Sequence, residues 1–169
     1  ARLNPANLDQ LPRYRLCAWS QRHPQLLDAR LTAVVQAEHP QALQQLLQRQ
    51  GLLRPRLDPQ HLALHRWIVE IDGNVNSWGL LWKLLSGSCV VRVESPRRQW
   101  YHHRLLPWQH VVPIKADLSD LHEQLLWCRR NPEACASIAA AGRQLAFSVV
   151  EQLEHDQQQA VLSYAHRWL

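Results

Sequence analysis

Between Arg66 and Val93 the hydrophobic pattern changes period twice, and this constrains the fold more than any other feature of the chain. Arg66-Trp67-Ile68-Val69-Glu70-Ile71 is rich in β-branched and aromatic residues and runs straight into Asp72-Gly73-Asn74, which reads as a strand delivered into a tight turn. From Ser77, residues Leu80, Leu81, Leu84 and Leu85 recur at helical spacing until Ser86-Gly87-Ser88, and Cys89 to Val93 is again a short apolar run of strand type. A strand, a helix and a second strand joined this closely form a compact β-α-β unit, and strands alternating with helices place the chain in the α/β class.

The flanks agree. Leu11, Tyr14, Cys17 and Ala18 predict a helix over about Pro12–Gln21, stopped by Pro24. A second helix opens near Pro40, with Ala42, Leu43, Leu46 and Leu47 on one face and Gly51 at its end. Asp58-Pro59 reads as an N-cap followed by a proline at the first helical position. After the β-α-β unit, a loop from Ser95 to Pro107 leads to a third strand over His110 to Ile114. Asp117 or Ser119 is expected to cap a helix running to Arg130; Pro132 opens another through Gly142, and a last amphipathic helix runs from about Val149 to Leu169.

Composition removes several classes. A chain of 169 residues is long enough to bury a real core as one domain. The richest apolar stretch, Trp78 to Val91, is interrupted by Lys83 and too short to span a bilayer, so no transmembrane segment is expected. Cys17, Cys89, Cys128 and Cys135 have no C-x-x-C spacing and sit among apolar residues, the pattern of buried free thiols. The net charge of +5 is almost wholly arginine, since Lys83 and Lys115 are the only lysines, and arginine suits bidentate phosphate recognition. A basic nucleic-acid-binding or scaffold domain is the alternative this balance raises. The arginines are scattered and no recognition motif appears, so a nucleic-acid partner is not expected.

A strand that delivers its chain through a glycine turn into a helix can place backbone N–H groups at an anion, and Asp72, Gly73, Asn74, Val75, Asn76 and Ser77 occupy that position. One glycine does not make the dinucleotide fingerprint, so an ordinary connection fits the same residues. Glu94 ends the second strand about 20 residues after Gly73, where dinucleotide folds carry an acidic residue toward a ribose. His61 and His65 have the spacing of a metal pair but lack the glutamate of a zinc protease motif, and no metal is expected. Trp100-Tyr101-His102-His103 is either a stacking surface or the cover of a core edge. Nucleophile elbows and Gly-Lys-Ser phosphate loops are absent.

Several blocks in order resemble one family. Ile71-Asp72-Gly73-Asn74-Val75-Asn76-Ser77-Trp78, Leu84-Leu85-Ser86-Gly87-Ser88, Trp100-Tyr101, Leu106-Pro107-Trp108-Gln109-His110-Val111-Val112-Pro113-Ile114 and Asp117-Leu118-Ser119-Asp120-Leu121 are similar to CAP10-like glycosyltransferases, glycosyltransferase family 90. Arg13 with Ser20, then Leu27-Asp28-Ala29 and Thr32, resemble the segment before that core, and Gly142 the helix after it. The resemblance implies a GT-B architecture of two Rossmann-like domains, with this chain as the C-terminal, donor-binding half. It implies transfer of a sugar with inversion from a nucleotide sugar, usually UDP-linked, to a hydroxyl of a glycan, lipopolysaccharide or protein, without a required metal or cofactor. It also places the general base in an N-terminal half, so that no catalytic residue is expected among residues 1 to 169. The opening at Ala1 and the absence of methionine are what such a truncation would leave. On the same resemblance Arg13 contacts the donor diphosphate and Asp72 to Ser77 hold the nucleotide and phosphates. Gly79 stands where animal members tend to carry an arginine, and Lys83, one turn further on, is the candidate to compensate. A cytoplasmic location, peripheral to a membrane, is the expectation.

Overall fold

The computed structural model describes residues 4–165. After a 3₁₀ turn at Pro5–Gln10 come α1 (Pro12–Arg22), α2 (Pro40–Arg49), α3 (Pro59–Leu62), β1 (Trp67–Glu70), α4 (Leu80–Leu85) and β2 (Cys89–Val93). A second 3₁₀ turn at Trp100–Arg104 leads to β3 (Val112–Ile114), α5 (Leu121–Arg130) and α6 (Pro132–Ala165). The three strands form one parallel sheet in the order β1-β2-β3, with Trp67 opposite Cys89 and Val91 opposite Val112. The α/β class and the β-α-β unit therefore stand. Among the described residues no helix is long and apolar enough to cross a membrane.

Local chemistry explains the boundaries. Prolines open α1, α2 and α3 at their first positions, where the missing N–H is an orphan in any case. Gly51, at φ +69°, ends α2 in a Schellman arrangement: Leu52 N–H donates to Leu47 C=O and Gly51 N–H to Gln48 C=O. The Asp58 carboxylate accepts from Gln60 N–H at 2.8 Å, the cap expected of it.

Side chains alternate across the sheet. Cys89, Val91 and Val93 of β2, with Val112 and Ile114, pack into a core closed by Leu121, Leu125 and Cys128 of α5 and Cys135 and Ile138 of α6. Val90 points the other way, joining Val111, Leu80 and Leu84 of α4, Tyr101, and Leu145, Ala146 and Val149 of α6. A third cluster, Leu8, Cys17, Leu43, Leu47 and Leu52, holds α1 against α2. Ser20 is fully buried and ties α1 to the segment leading toward α2, donating to Leu27 C=O at 2.6 Å and accepting from Ala29 N–H at 2.8 Å. All four cysteines are buried and free, as their apolar neighbours predict.

Three expectations need correction. Residues 132–165 form one continuous 34-residue helix instead of two. Gly142 does not break it: a Cβ there would lie 2.7 Å from His110 carbonyl oxygen and 2.9 Å from a Leu84 methyl, so the glycine lets α6 press against the chain as it passes from one core cluster to the other. The expected last helix also included residues 166–169, which lie outside the described residues. Second, α4 begins at Leu80 with Gly79 as its N-cap, not at Ser77. Third, neither Asp117 nor Ser119 caps α5. Asp120 holds the N-cap position and turns its carboxylate to Lys115 N–H, while Asp117 accepts from Ser119 N–H within the preceding loop.

Candidate functional site

In a parallel sheet the loops after the strands collect at one edge, and that edge is where ligands bind in open α/β folds. The loop after β1, residues 71–79, lies there. It is irregular because its own side chains out-compete a helix. The Asp72 carboxylate accepts from Ser77 N–H at 2.8 Å and from Ser95 Oγ–H at 2.5 Å, and Ser77 Oγ accepts from Gly79 N–H at 3.3 Å. Gln99 donates to Ser77 C=O at 2.8 Å, and Asn74 donates to Gln36 at 2.7 Å. Five residues thus separate the glycine turn from a helix of only six.

Two arginines grip this loop. Arg13, in the first turn of α1, donates through Nε to Asp72 C=O at 3.0 Å and through an Nη to Ile71 C=O at 3.1 Å. Its guanidinium lies flat against Gly73, where a Cβ would sit 3.0 Å from its central carbon. Arg97 donates to Gly73 C=O at 3.2 Å and stands 3.8 Å from the Asp72 carboxylate. Both remain exposed, as do Asn74 and Val75, while Asn76 and Ser77 are partly covered. Three consecutive carbonyls are therefore held by two cations that still face solvent.

Beneath the loop lies a buried charged layer. Glu70, only 3% exposed, pairs with Lys83, whose ammonium also donates to Val69 C=O at 3.2 Å. Arg92 is directly across the sheet from Glu70 and reaches His102 Nδ1 at 3.4 Å. Burial, the first cause, lowers the Arg92 pKa, and Glu70 works against that shift. Burial, then the Arg92 and Arg98 charges, lower His102 to about 4, so its imidazole is neutral at pH 7.

The sequence candidates divide accordingly. Arg13 and Asp72 to Ser77 come together at one place. Lys83 is engaged by Glu70 below the loop. Glu94 is exposed at the end of β2, its backbone N–H donating to Ile114 C=O at 2.7 Å. His61, in α3, and His65, just past it, are both exposed, and no group of three or more metal-ligating side chains occurs among the described residues. In the Trp100-to-His103 stretch, Tyr101 and His102 are buried while Trp100 and His103 are exposed, so it chiefly covers a core edge. Arg97, Arg92 and Glu70 were not singled out from the sequence. The adjacent Arg97-Arg98 pair following a strand was the available signal for the first.

Residues 6–167 match the family model described as glycosyl transferase family 90. The chain belongs to that family. It is 29% identical over 139 residues to human protein O-glucosyltransferase 3, covering 82% of this chain and 26% of that protein. It is 28% identical over 132 residues to rat protein O-glucosyltransferase 1, covering 76% of this chain and 32% of the relative. A 90-residue stretch is 38% identical to the uncharacterized protein 179R of invertebrate iridescent virus 6, 49% of this chain and 8% of the viral protein. The family chain thus spans at most about a third of each of these relatives.

Proposed function

We propose that this chain is the donor-binding part of a glycosyltransferase that moves a sugar from a UDP-sugar to an acceptor hydroxyl, in a GT-B architecture of two Rossmann-like domains. The observation that carries this is the convergence of Arg13 and Arg97 on the carbonyls of Ile71, Asp72 and Gly73 at the carboxyl edge of a parallel sheet. The names of the relatives favour glucose as the sugar and a protein hydroxyl as the acceptor, with glycans and lipopolysaccharide as the other acceptor classes. A lipopolysaccharide acceptor would go with a cytoplasmic enzyme peripheral to the membrane.

The task of this part is to stabilise the leaving group. As the glycosidic bond to the donor breaks, negative charge grows on the diphosphate, and donors already fixed in place lower the barrier more than they strengthen ground-state binding. Arg13 is oriented by two carbonyls and a glycine that leaves room for its plane, so little entropy is lost when a phosphate meets its free edge. Asp72 has its oxygens occupied by Ser77, Ser95 and Arg97 and shapes the loop. The general base that deprotonates the acceptor comes from another part of the enzyme.

Calorimetric titration with UDP and UDP-glucose tests this reading. Micromolar to millimolar UDP binding is expected, weakened roughly tenfold or more in Arg13→Ala, since a hydrogen bond to a charged group is worth about 1.5–3 kcal/mol. An unchanged dissociation constant in a folded Arg13→Ala protein would remove Arg13 from the site. Salt-steep binding of single-stranded RNA in place of UDP would favour the nucleic-acid alternative.

A further inference from the structure

We propose that a second site, for neutral saccharides, lies on the opposite edge of the sheet between α5 and the turn that enters β3. Trp108 is the starting observation. It is one of three non-glycine residues at positive φ among the described residues, at +64°, yet the residue is 46% exposed. The turn is fixed in that shape: Trp108 N–H donates to Val111 C=O at 2.7 Å, and buried His110 accepts from Leu106 N–H at 3.0 Å through Nδ1. A strained backbone that holds a large apolar ring toward water gains nothing for the core, and such conformations cluster at binding sites.

The surroundings supply a ligand class. Trp108 meets Trp127 edge to face, with ring centroids 4.9 Å apart and planes at 76°, and Trp127 is itself anchored on the main core. The two indoles form one corner of an open pocket of about 480 Å³ whose other walls are Glu123, Gln124, Arg130 and Asn131. A carboxylate, two carboxamides and a guanidinium are planar groups able to engage neighbouring hydroxyls in pairs, and an indole face accepts the C–H face of a pyranose ring. Asn131 is held by its Nδ2–H donating to Trp127 C=O at 2.8 Å, which leaves its carbonyl oxygen as an acceptor. Glu123 and Arg130 cancel in charge, so the pocket matches a neutral polar ligand, unlike the arginine-flanked loop after β1. The separation is topological: Asp72 and Gly73 follow the carboxyl end of β1, whereas Trp108 precedes the amino end of β3. A site so placed holds a glycan away from the reacting atoms.

Saturation-transfer NMR with glucose, maltotriose and cellotriose on the 169-residue chain, paired with UDP titration of the same samples, tests the proposal. Transfer from the protein to at least one saccharide is expected, with millimolar affinity and no competition from UDP. Trp108→Gly removes the indole and adopts φ +64° freely, so the fold is retained; saccharide affinity should fall at least tenfold while UDP binding is unchanged. Gln124→Ala, at a partly covered position of α5, should also weaken the saccharide signal and serves if the glycine variant proves unstable. Absence of any saccharide signal, survival of that signal in Trp108→Gly or Gln124→Ala, or displacement of the saccharide by UDP would each overturn the second site. Failure of UDP binding alone would leave it standing.

Discussion

The pair under the site loop should be costly to break and asymmetric in how it breaks. The Glu70 side chain is 4% exposed and that of Lys83 is 15% exposed, so removing either partner leaves a charge with little water, a situation that costs about 3–5 kcal/mol. Arg92 decides which end of that range applies. It faces Glu70 across the β1–β2 register, so in Lys83→Met the carboxylate keeps one cation, whereas in Glu70→Gln both Lys83 and Arg92 lose the carboxylate between them. Lys83→Met is therefore expected near 3 kcal/mol, about the lower end, and Glu70→Gln near 5, about the upper. With a urea slope of about 2 kcal/mol per M, unfolding midpoints followed by tryptophan fluorescence should drop by roughly 1.5 M and 2.5 M. Glu70→Leu combined with Lys83→Met should recover only part of the Glu70→Gln loss, because the Lys83 charge is removed with the carboxylate while Arg92 still loses its neighbour across the sheet. Under conditions where Lys83→Met stays folded, its UDP affinity should match that of the parent. A Lys83→Met loss below about 1 kcal/mol, the size expected of a solvated surface pair, would refute the reasoning, as would equal losses in the two single variants.

Packing and titration give two more expected outcomes. Gly142→Ala gains about 1 kcal/mol of helix propensity but drives a methyl into a carbonyl oxygen 2.7 Å away, an overpacking cost of about 1–3 kcal/mol, so net destabilisation is expected by urea denaturation, and a more stable variant would contradict the close approach of α6. His102 is held near 4 when folded and returns to about 6.5 when unfolded, so the unfolded chain binds more protons between those values. Stability is full above pH 6.5 and falls as the pH drops toward 4, by about 3 kcal/mol from this residue, with His110, also lowered by burial, adding in the same direction. His102→Gln should flatten the pH dependence measured by thermal unfolding between pH 6.5 and 4, and an unaltered slope would show the imidazole to be charged.

How much of this could be read from the chain depended on whether the signal was local. The β-α-β unit was legible because period, glycine punctuation and β-branched content change together within 28 residues, Arg66 to Val93. The prolines at 12, 40 and 59 marked helix starts for the same reason. Gly142 misled because its effect is tertiary: only the His110 carbonyl shows that the glycine makes room and does not end a helix. Glu70 and Lys83 are 13 positions apart on a strand and a helix, so nothing in their spacing announces a pair. The candidate site was half legible. The turn at Asp72 to Ser77 and Arg13 were both candidates from the sequence and the fold brings them into contact, but Arg97 looked like one scattered arginine until the fold brought it to the same loop.

The buried thiols turn the chain into its own reporter of partial opening. Cys89, Cys128 and Cys135 share the core between β2, α5 and α6, whereas Cys17 belongs to the separate cluster that clamps α1 to α2. Burial raises Cys17 to about 11 and Cys89 to about 12, so neither is a competent nucleophile at neutral pH while its own cluster is closed. Alkylation at Cys17 ahead of the other three would mean that the α1–α2 clamp, and with it the grip of Arg13 on the loop, releases as a unit before the sheet does.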